Sequence, residues 1–220
     1  MTFDKEWENI FKSRSWGKYP SEEVIRFMAR NYYGVPDRSR VKVLDLGCGT
    51  GANSWFVGRE GFSVFGIDGS ESAISAASER FKKERMKGDF IVGDINYLPY
   101  ENESFDCVLD VCAMQHNVVS DIRQIVNEVK RVLKKGGKVF GMCASIKTSG
   151  KGKAKVIEIN TFRGMDDAMI SKGLIIHLFS EKEIVKLFDG FERMSIDKIR
   201  RTDHDGRHAV ENYIYSFRRP

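Results

Sequence analysis

Residues Val41 to Asn53 read Val-Lys-Val-Leu-Asp-Leu-Gly-Cys-Gly-Thr-Gly-Ala-Asn, an apolar strand that passes directly into glycines at 47, 49 and 51. Few segments restrict a fold more. Glycine tolerates positive φ and carries no Cβ, so the chain can turn sharply from strand to helix there and let a ligand reach the backbone. A second apolar run, Phe62-Ser-Val-Phe-Gly-Ile, ends in Asp68 about 20 residues further on, the spacing at which a carboxylate accepts the hydroxyls of a ribose. The turn therefore suits a nucleotide-like ligand.

From Val41 onward strand and helix signals alternate. Strand one spans Val41 to Leu46, with a helix from about Ala52 to Glu60; strand two spans Ser63 to Ile67, with a helix from about Ser72 to Lys83. Phe90-Ile-Val reads as strand three and Phe105 to Val111 as strand four. Asp121 to Leu133 carries apolar residues at helical spacing, and Lys135-Gly-Gly breaks that helix before strand five, Lys138 to Ala144. Ser180-Glu-Lys-Glu starts a further helix with a capping-box pattern. Ser195 to Arg200 and Asn212 to Arg218 are the last two strands. Parallel neighbours need crossover connections, so this order predicts a Rossmann-like, doubly wound α/β fold. It would have a mostly parallel seven-stranded sheet, helices on both faces and a C-terminal antiparallel strand pair.

No linker divides the chain, and one domain is expected. Residues 1–36 form a helical cover, 37–146 the ligand-binding core, and 147–220 an excursion and the C-terminal strands. In the cover, Ser21 with Glu22 and Glu23 opens a helix reaching Tyr33. Trp7 and Phe11 read as the packed face of an earlier helix, whereas Trp16-Gly-Lys-Tyr-Pro20 would hold its aromatics on a turn. Residues Lys147 to Gly173 begin with a lysine-rich stretch and show little periodicity, the pattern of a mobile lid or a solvated loop.

Composition sets outer limits. At 220 residues, with 41% hydrophobic and 11% aromatic content, the chain can bury the core of one ordinary domain. No apolar run approaches the roughly 20 residues that span a bilayer, and the first residues lack the order of a signal peptide. A soluble cytoplasmic protein without a membrane partner is expected. Cys48, Cys107, Cys112 and Cys143 form no Cys-x-x-Cys pair, so no metal site is expected, and they read as packed thiols. A catalytic thiol at Cys48 or Cys112 is the alternative. The net charge of +5 permits an acidic substrate without marking a nucleic-acid surface.

A dinucleotide fingerprint spaces its glycines Gly-x-Gly-x-x-Gly and seats a pyrophosphate on the helix N-terminus. Here the glycines alternate, and Asp45 stands two residues before the first of them. A carboxylate there repels a pyrophosphate and attracts an ammonium group. The segment resembles the first motif of class I S-adenosylmethionine methyltransferases, Asp/Glu-x-Gly-x-Gly-x-Gly, and the resemblance continues to about Ala144. Ile91-Val-Gly-Asp-Ile-Asn matches the acid after strand three, and Leu98-Pro-Tyr with Ser104-Phe-Asp-Cys-Val matches the approach to strand four. Val132-Leu-Lys-Lys-Gly-Gly-Lys-Val matches the lead into strand five, with Lys135 in place of the usual proline.

The resemblance implies S-adenosyl-L-methionine as cofactor and S-adenosyl-L-homocysteine as product. It places Asp45, Gly47, Cys48, Gly49, Thr50, Gly51 and Asn53 at the amino acid end of the cofactor. Asp68, Gly69 and Ser70 fall at the ribose, and Gly93, Asp94 and Ile95 at the adenine. Asp110, Val111 and Gln115 stand where cofactor and acceptor meet, and Trp16 or Tyr19 would cover the cofactor.

Methyl transfer from a sulfonium demands mainly an in-line acceptor and exclusion of water. A hydroxyl acceptor gains from a general base. His116, following strand four, is the candidate base, with orientation of the cofactor by His116 and Gln115 as the alternative. His177 and Asp203 are candidate acceptor contacts, with packing beside Ile175 and Ile176 the alternative for His177 and Asp205 an alternative to Asp203, while His204 and His208 read as exposed. The acceptor implied is a small or sugar-like molecule methylated on O or N. RNA or protein methylation is a second reading, drawn from the lysine stretch and Arg200, Arg201 and Arg207. A cofactor-binding regulator without transfer activity is a third.

Overall fold

Strand β1 (Lys42–Leu46) sends Val43 to one side of a sheet and Leu44 to the other, and both are buried, as expected of a strand covered on both faces. The computed structural model describes residues 3–165, 173–203 and 205–220. It sets β1 between β2 (Ser63–Asp68) and β4 (Phe105–Val111), both parallel to it. β3 (Asp89–Val92) lies outside β2, and β5 (Leu133–Ala144) lies beyond β4. Two antiparallel strands complete a seven-stranded sheet, β10 (His208–Arg218) against β5 and β9 (Glu192–Asp203) at the edge. This is the expected Rossmann-like doubly wound fold. Chain order reverses between β1 and β4, and ligands of such sheets bind beyond the strand ends at that point.

Alternation along the strands builds two cores. Val43, Cys107 and Leu109 pack with Val24, Phe27 and Met28 of α2 (Glu22–Tyr32) and with Phe56 and Val57 of α3 (Ala52–Arg59). On the opposite face Leu44 and Val108 meet α5 (Val119–Val132), whose Ile122, Ile125, Val126, Val129 and Val132 make one buried stripe. Each such side chain contributes roughly 1.5–3 kcal/mol on burial. Ser21 caps α2 and Ser180 caps α6 (Glu181–Leu187) where expected, while α4 (Glu71–Lys83) starts ahead of Ser72 with Ser70 as its cap, each serine accepting a backbone N–H.

Three expectations change. The Lys135-Gly-Gly segment does not precede β5 but bulges within it. Leu133 pairs with Phe105 and the next pair is Lys138 with Cys107, while Gly136 at the crest donates to the Arg219 carbonyl at 2.8 Å. The Lys147–Gly173 segment is not a plain loop. It forms β6 (Lys155–Glu158) and β7 (Thr161–Arg163), which join β8 (Ile175–His177) in a separate antiparallel sheet. Residues 166–172 of the expected lid, and His204, lie outside the described residues. His208 is half-buried in β10 rather than exposed.

One row across the main sheet sets up the ligand end. Asp110 on β4, Gly141 on β5 and Tyr215 on β10 are register partners, and the Tyr215 ring lies over Gly141 to donate its hydroxyl to Asp110 Oδ2 at 3.0 Å. Among the described residues no helix is long and apolar enough to cross a membrane.

Candidate functional site

A cavity of about 600 Å³ opens at the carboxyl ends of β1, β2 and β4. Gly47, Cys48, Gly49 and Asn53 of the first turn form part of its wall, joined by Asp68 and Gly69 after β2 and by Gly93, Asp94 and Ile95 after β3. Val111, Cys112, Gln115 and His116 come from the loop after β4. The closeness of these loops explains one glycine. Gly47 has φ +63°, and a Cβ there would lie 2.3 Å from the Cβ of Ala113.

Asp68 organises the turn. Its Oδ2 accepts the Gly49 N–H and its Oδ1 the Ser70 N–H, each at 2.9 Å, and burial raises its pKa above the ordinary value. Asp94 Oδ1 accepts the Asn96 N–H at 3.0 Å.

Five expected contacts are placed elsewhere. Asp45 is buried beneath the turn, where Oδ2 accepts both the N–H and the hydroxyl of Ser54 at the start of α3; burial pushes its pKa up to about 6. Thr50 stands off the cavity wall, and Gly51 caps α3 against Ala77. Ser70 caps α4 and donates to Glu8 at 2.5 Å. Asp110 is turned away from the cavity, receiving the N–H groups of Ala113 and Met114 on Oδ1 and Tyr215 on Oδ2, with its pKa raised by burial to about 6. The carboxylates at 45 and 110 thus brace the start of α3 and the loop after β4 rather than line the cavity.

His177 is fully buried off the cavity, with Nδ1 at 2.7 Å from Thr161 Oγ1 and Nε2 at 3.1 Å from Glu183. It ties the small sheet to α6. Asp203 is exposed at the end of β9, 3.6 Å from Arg201, and Asp205 lies in the exposed turn that follows. None of the three lines the cavity. Burial pushes the Cys112 thiol up to about 12 and raises that of Cys48 well above its ordinary value, which disfavours the reactive thiolate at both positions. Cys112 instead marks strain, since φ +61° at a non-glycine residue costs of order 1–3 kcal/mol. Its N–H bond to the Met142 carbonyl helps hold that conformation.

The aromatic lid was only partly foreseen. Trp7 and Phe11, one turn apart on α1 (Glu6–Ser13), face the cavity instead of merely packing, while Ile10 is the buried residue of that helix. Trp7 meets Trp16 at 5.9 Å and the His116 ring at 4.9 Å, and Phe11 meets Trp16 at 5.3 Å. Tyr19 also reaches the wall, but it is 74% exposed and rests on Trp55. Glu8 fastens this cover to α4. Its carboxylate accepts from the hydroxyls of Ser70 and Ser72, which hold its pKa down to about 2. Sequence reasoning also missed Ile176, Val210 and Asn212, which line the cavity from the second sheet and β10.

Residues 43–137 match a family model described as a methyltransferase domain. Over 123 residues the chain is 37% identical to a ubiquinone biosynthesis O-methyltransferase of Pelagibacter ubique, covering 56% of this chain and 50% of the relative. It is 36% identical over 100 residues to a demethylmenaquinone methyltransferase of Thermotoga maritima, covering 44% and 41%. Half or less of each relative's length is thus spanned. A S-adenosylmethionine-dependent methyltransferase of Methanosarcina mazei superposes over 87% of this chain and 96% of its own, with TM-score 0.71 and 23% identity. Residues 43–137 thus carry a methyltransferase domain, on the fold of S-adenosylmethionine-dependent methyltransferases. S-adenosylmethionine is the cofactor that belongs to it.

Within this site the proton on His116 has a definite place. Gln115 Oε1 accepts the Ala144 N–H at 2.7 Å, so its amide nitrogen is the group 3.2 Å from His116 Nε2 and must donate. His116 Nδ1 then carries the hydrogen and gives it to the Ile175 carbonyl at 2.7 Å. Burial lowers the imidazole pKa to about 4. Unfolded histidine takes up its proton below about 6.5, whereas the folded side chain waits until about 4. Between those values the unfolded state binds more protons, so wild type should lose stability relative to His116→Asn as the pH falls, by at most about 1.4 kcal/mol per unit. Urea unfolding of both proteins at about pH 7 and about pH 5 checks this. A gap independent of pH would show that the ring is not held neutral.

Proposed function

We propose that this methyltransferase transfers the methyl group of S-adenosylmethionine to a small, largely apolar, ring-bearing acceptor through an oxygen or nitrogen. The observation that carries the reading is one cavity that joins the glycine turn to an aromatic wall of Trp7, Phe11 and Trp16. The residues present fit the cofactor. Gly47 and Gly49 offer bare backbone, and Asp68, fixed by two N–H groups, retains lone pairs for ribose hydroxyls. Gly69 lies beside it, and Gly93, Asp94 and Ile95 bound the adenine end. When bound, the cofactor supplies a methyl group made electrophilic by positively charged sulfur. Aromatic faces near such a cation favour it electrostatically and keep water away.

We assign His116 to positioning. A neutral ring whose Nε2 lone pair already receives the Gln115 amide is a weak base, so acceptors that ionise readily, phenols above all, are preferred to sugar hydroxyls. The names of two relatives, a ubiquinone biosynthesis O-methyltransferase and a demethylmenaquinone methyltransferase, support a quinone-like ring.

The test is release of S-adenosylhomocysteine with panels of catechols, aromatic amines and sugars. Turnover with catechols or amines and none with sugars is expected; the reverse overturns the acceptor class. Cofactor binding with no product from any class would favour a regulatory protein. In His116→Asn, kcat should fall less than about ten-fold with an unchanged pH profile, whereas loss of a general base costs about 10² or more.

A further inference from the structure

The hairpin of β6 and β7 exposes aliphatic side chains to an unusual degree. Ile159 at its turn is 84% exposed and Val156 on β6 is 63% exposed, with Ile157 beside them. β6 is the outer strand of the small sheet. The chain enters it through Lys147, Lys151, Lys153 and Lys155, all exposed. Across residues 147–163 five basic side chains stand against one acid, Glu158. That acid is turned inward, accepting the Val119 N–H at 2.6 Å and the Thr161 hydroxyl at 3.1 Å. Lys151 is folded back onto the Ile146 carbonyl, which leaves Lys147, Lys153 and Lys155 as the outward charges.

We propose that this hairpin docks the protein on an anionic phospholipid surface. Val156, Ile157 and Ile159 would enter the boundary between headgroups and acyl chains while the lysines meet anionic headgroups. The combination selects the occupant. A polyanion such as RNA would use the lysines and leave the aliphatics unexplained, and a second copy would bring like charges together. The same sheet supplies Ile176 of β8 to the cavity wall, so docking brings the cavity close to lipid-dissolved molecules. This surface is independent of the acceptor reading and can be measured without turnover.

The experiment is co-sedimentation with vesicles of phosphatidylcholine alone or mixed with phosphatidylglycerol. Wild type should bind only the mixed vesicles. The Val156→Asp, Ile159→Asp double variant should lose at least ten-fold in affinity, and each of Lys147→Glu and Lys153→Glu roughly five-fold or more. Calorimetry of cofactor binding confirms that every variant is folded. No binding of wild type to mixed vesicles overturns the proposal. So does loss in the lysine variants alone with the aspartate variant still bound, the mark of a general polyanion surface. Light scattering that shows a dimer dispersed by the aspartates overturns it in favour of self-association.

Discussion

Asp68→Ala should weaken S-adenosylmethionine binding by about 2–4 kcal/mol, roughly 30- to 700-fold in Kd, in a protein that still folds. The side chain has two tasks. It receives the N–H groups of Gly49 and Ser70, which fixes the turn after β1 relative to the end of β2. On the proposed reading its remaining lone pairs take the ribose hydroxyls, as charge-assisted bonds in a buried setting. Asp68→Asn keeps one acceptor oxygen and similar shape, so it should lose less than the alanine variant. Calorimetric titration of both variants, with circular dichroism to establish folding, separates the outcomes. Equal affinity for wild type and Asp68→Ala would remove the ribose assignment.

The parts of this molecule that repeat a local rule were legible in its sequence. Strands β1, β2 and β4 alternate between two cores, and α5 carries its apolar stripe at helical spacing, so neighbouring residues alone suffice to recognise them. The serine caps of α2 and α6 were legible for the same reason. Lys135-Gly-Gly was not, because its local chemistry says break while the partner Arg219, far along the chain, accepts the Gly136 N–H and lets the strand continue. The small sheet escaped because β7 has three described residues, too few for any period to show.

The site divides in the same way. Gly47, Gly49 and Asp68 follow from a fixed spacing along one β-turn-α-β unit. Asp45 and Asp110 carry the right chemistry in the right motif, yet their carboxylates face backbone amides of the protein itself, and sequence does not state direction. Trp7 and Phe11 could have been suspected from an aromatic pair spaced four apart, but whether that face meets the protein or a cavity depends on the Glu8 contacts with Ser70 and Ser72. Those join residues more than sixty positions apart.

Gly141→Ala should destabilise the fold by about 3–5 kcal/mol, although the residue lies in an ordinary strand and needs no special φ. A Cβ at 141 would stand 2.0 Å from Tyr215 Cζ and 2.2 Å from its hydroxyl oxygen, so the ring cannot stay where it is. Moving it breaks the 3.0 Å bond to Asp110, a hydrogen bond to a buried carboxylate worth about 1.5–3 kcal/mol, and overpacking adds about 1–3. Tyr215→Phe, which removes only the hydroxyl, should cost just that first part. The loss also reaches the site, because Asp110 positions the N–H groups of Ala113 and Met114 immediately before Gln115 and His116. Both variants should therefore bind acceptor more weakly under conditions where they remain folded. The decisive measurement is a double-mutant cycle by urea unfolding. With Tyr215→Leu already present, the ring is gone and the added cost of Gly141→Ala should shrink to about 1 kcal/mol or less, whereas an undiminished cost would mean that the strand, rather than the Asp110–Gly141–Tyr215 row, requires the glycine.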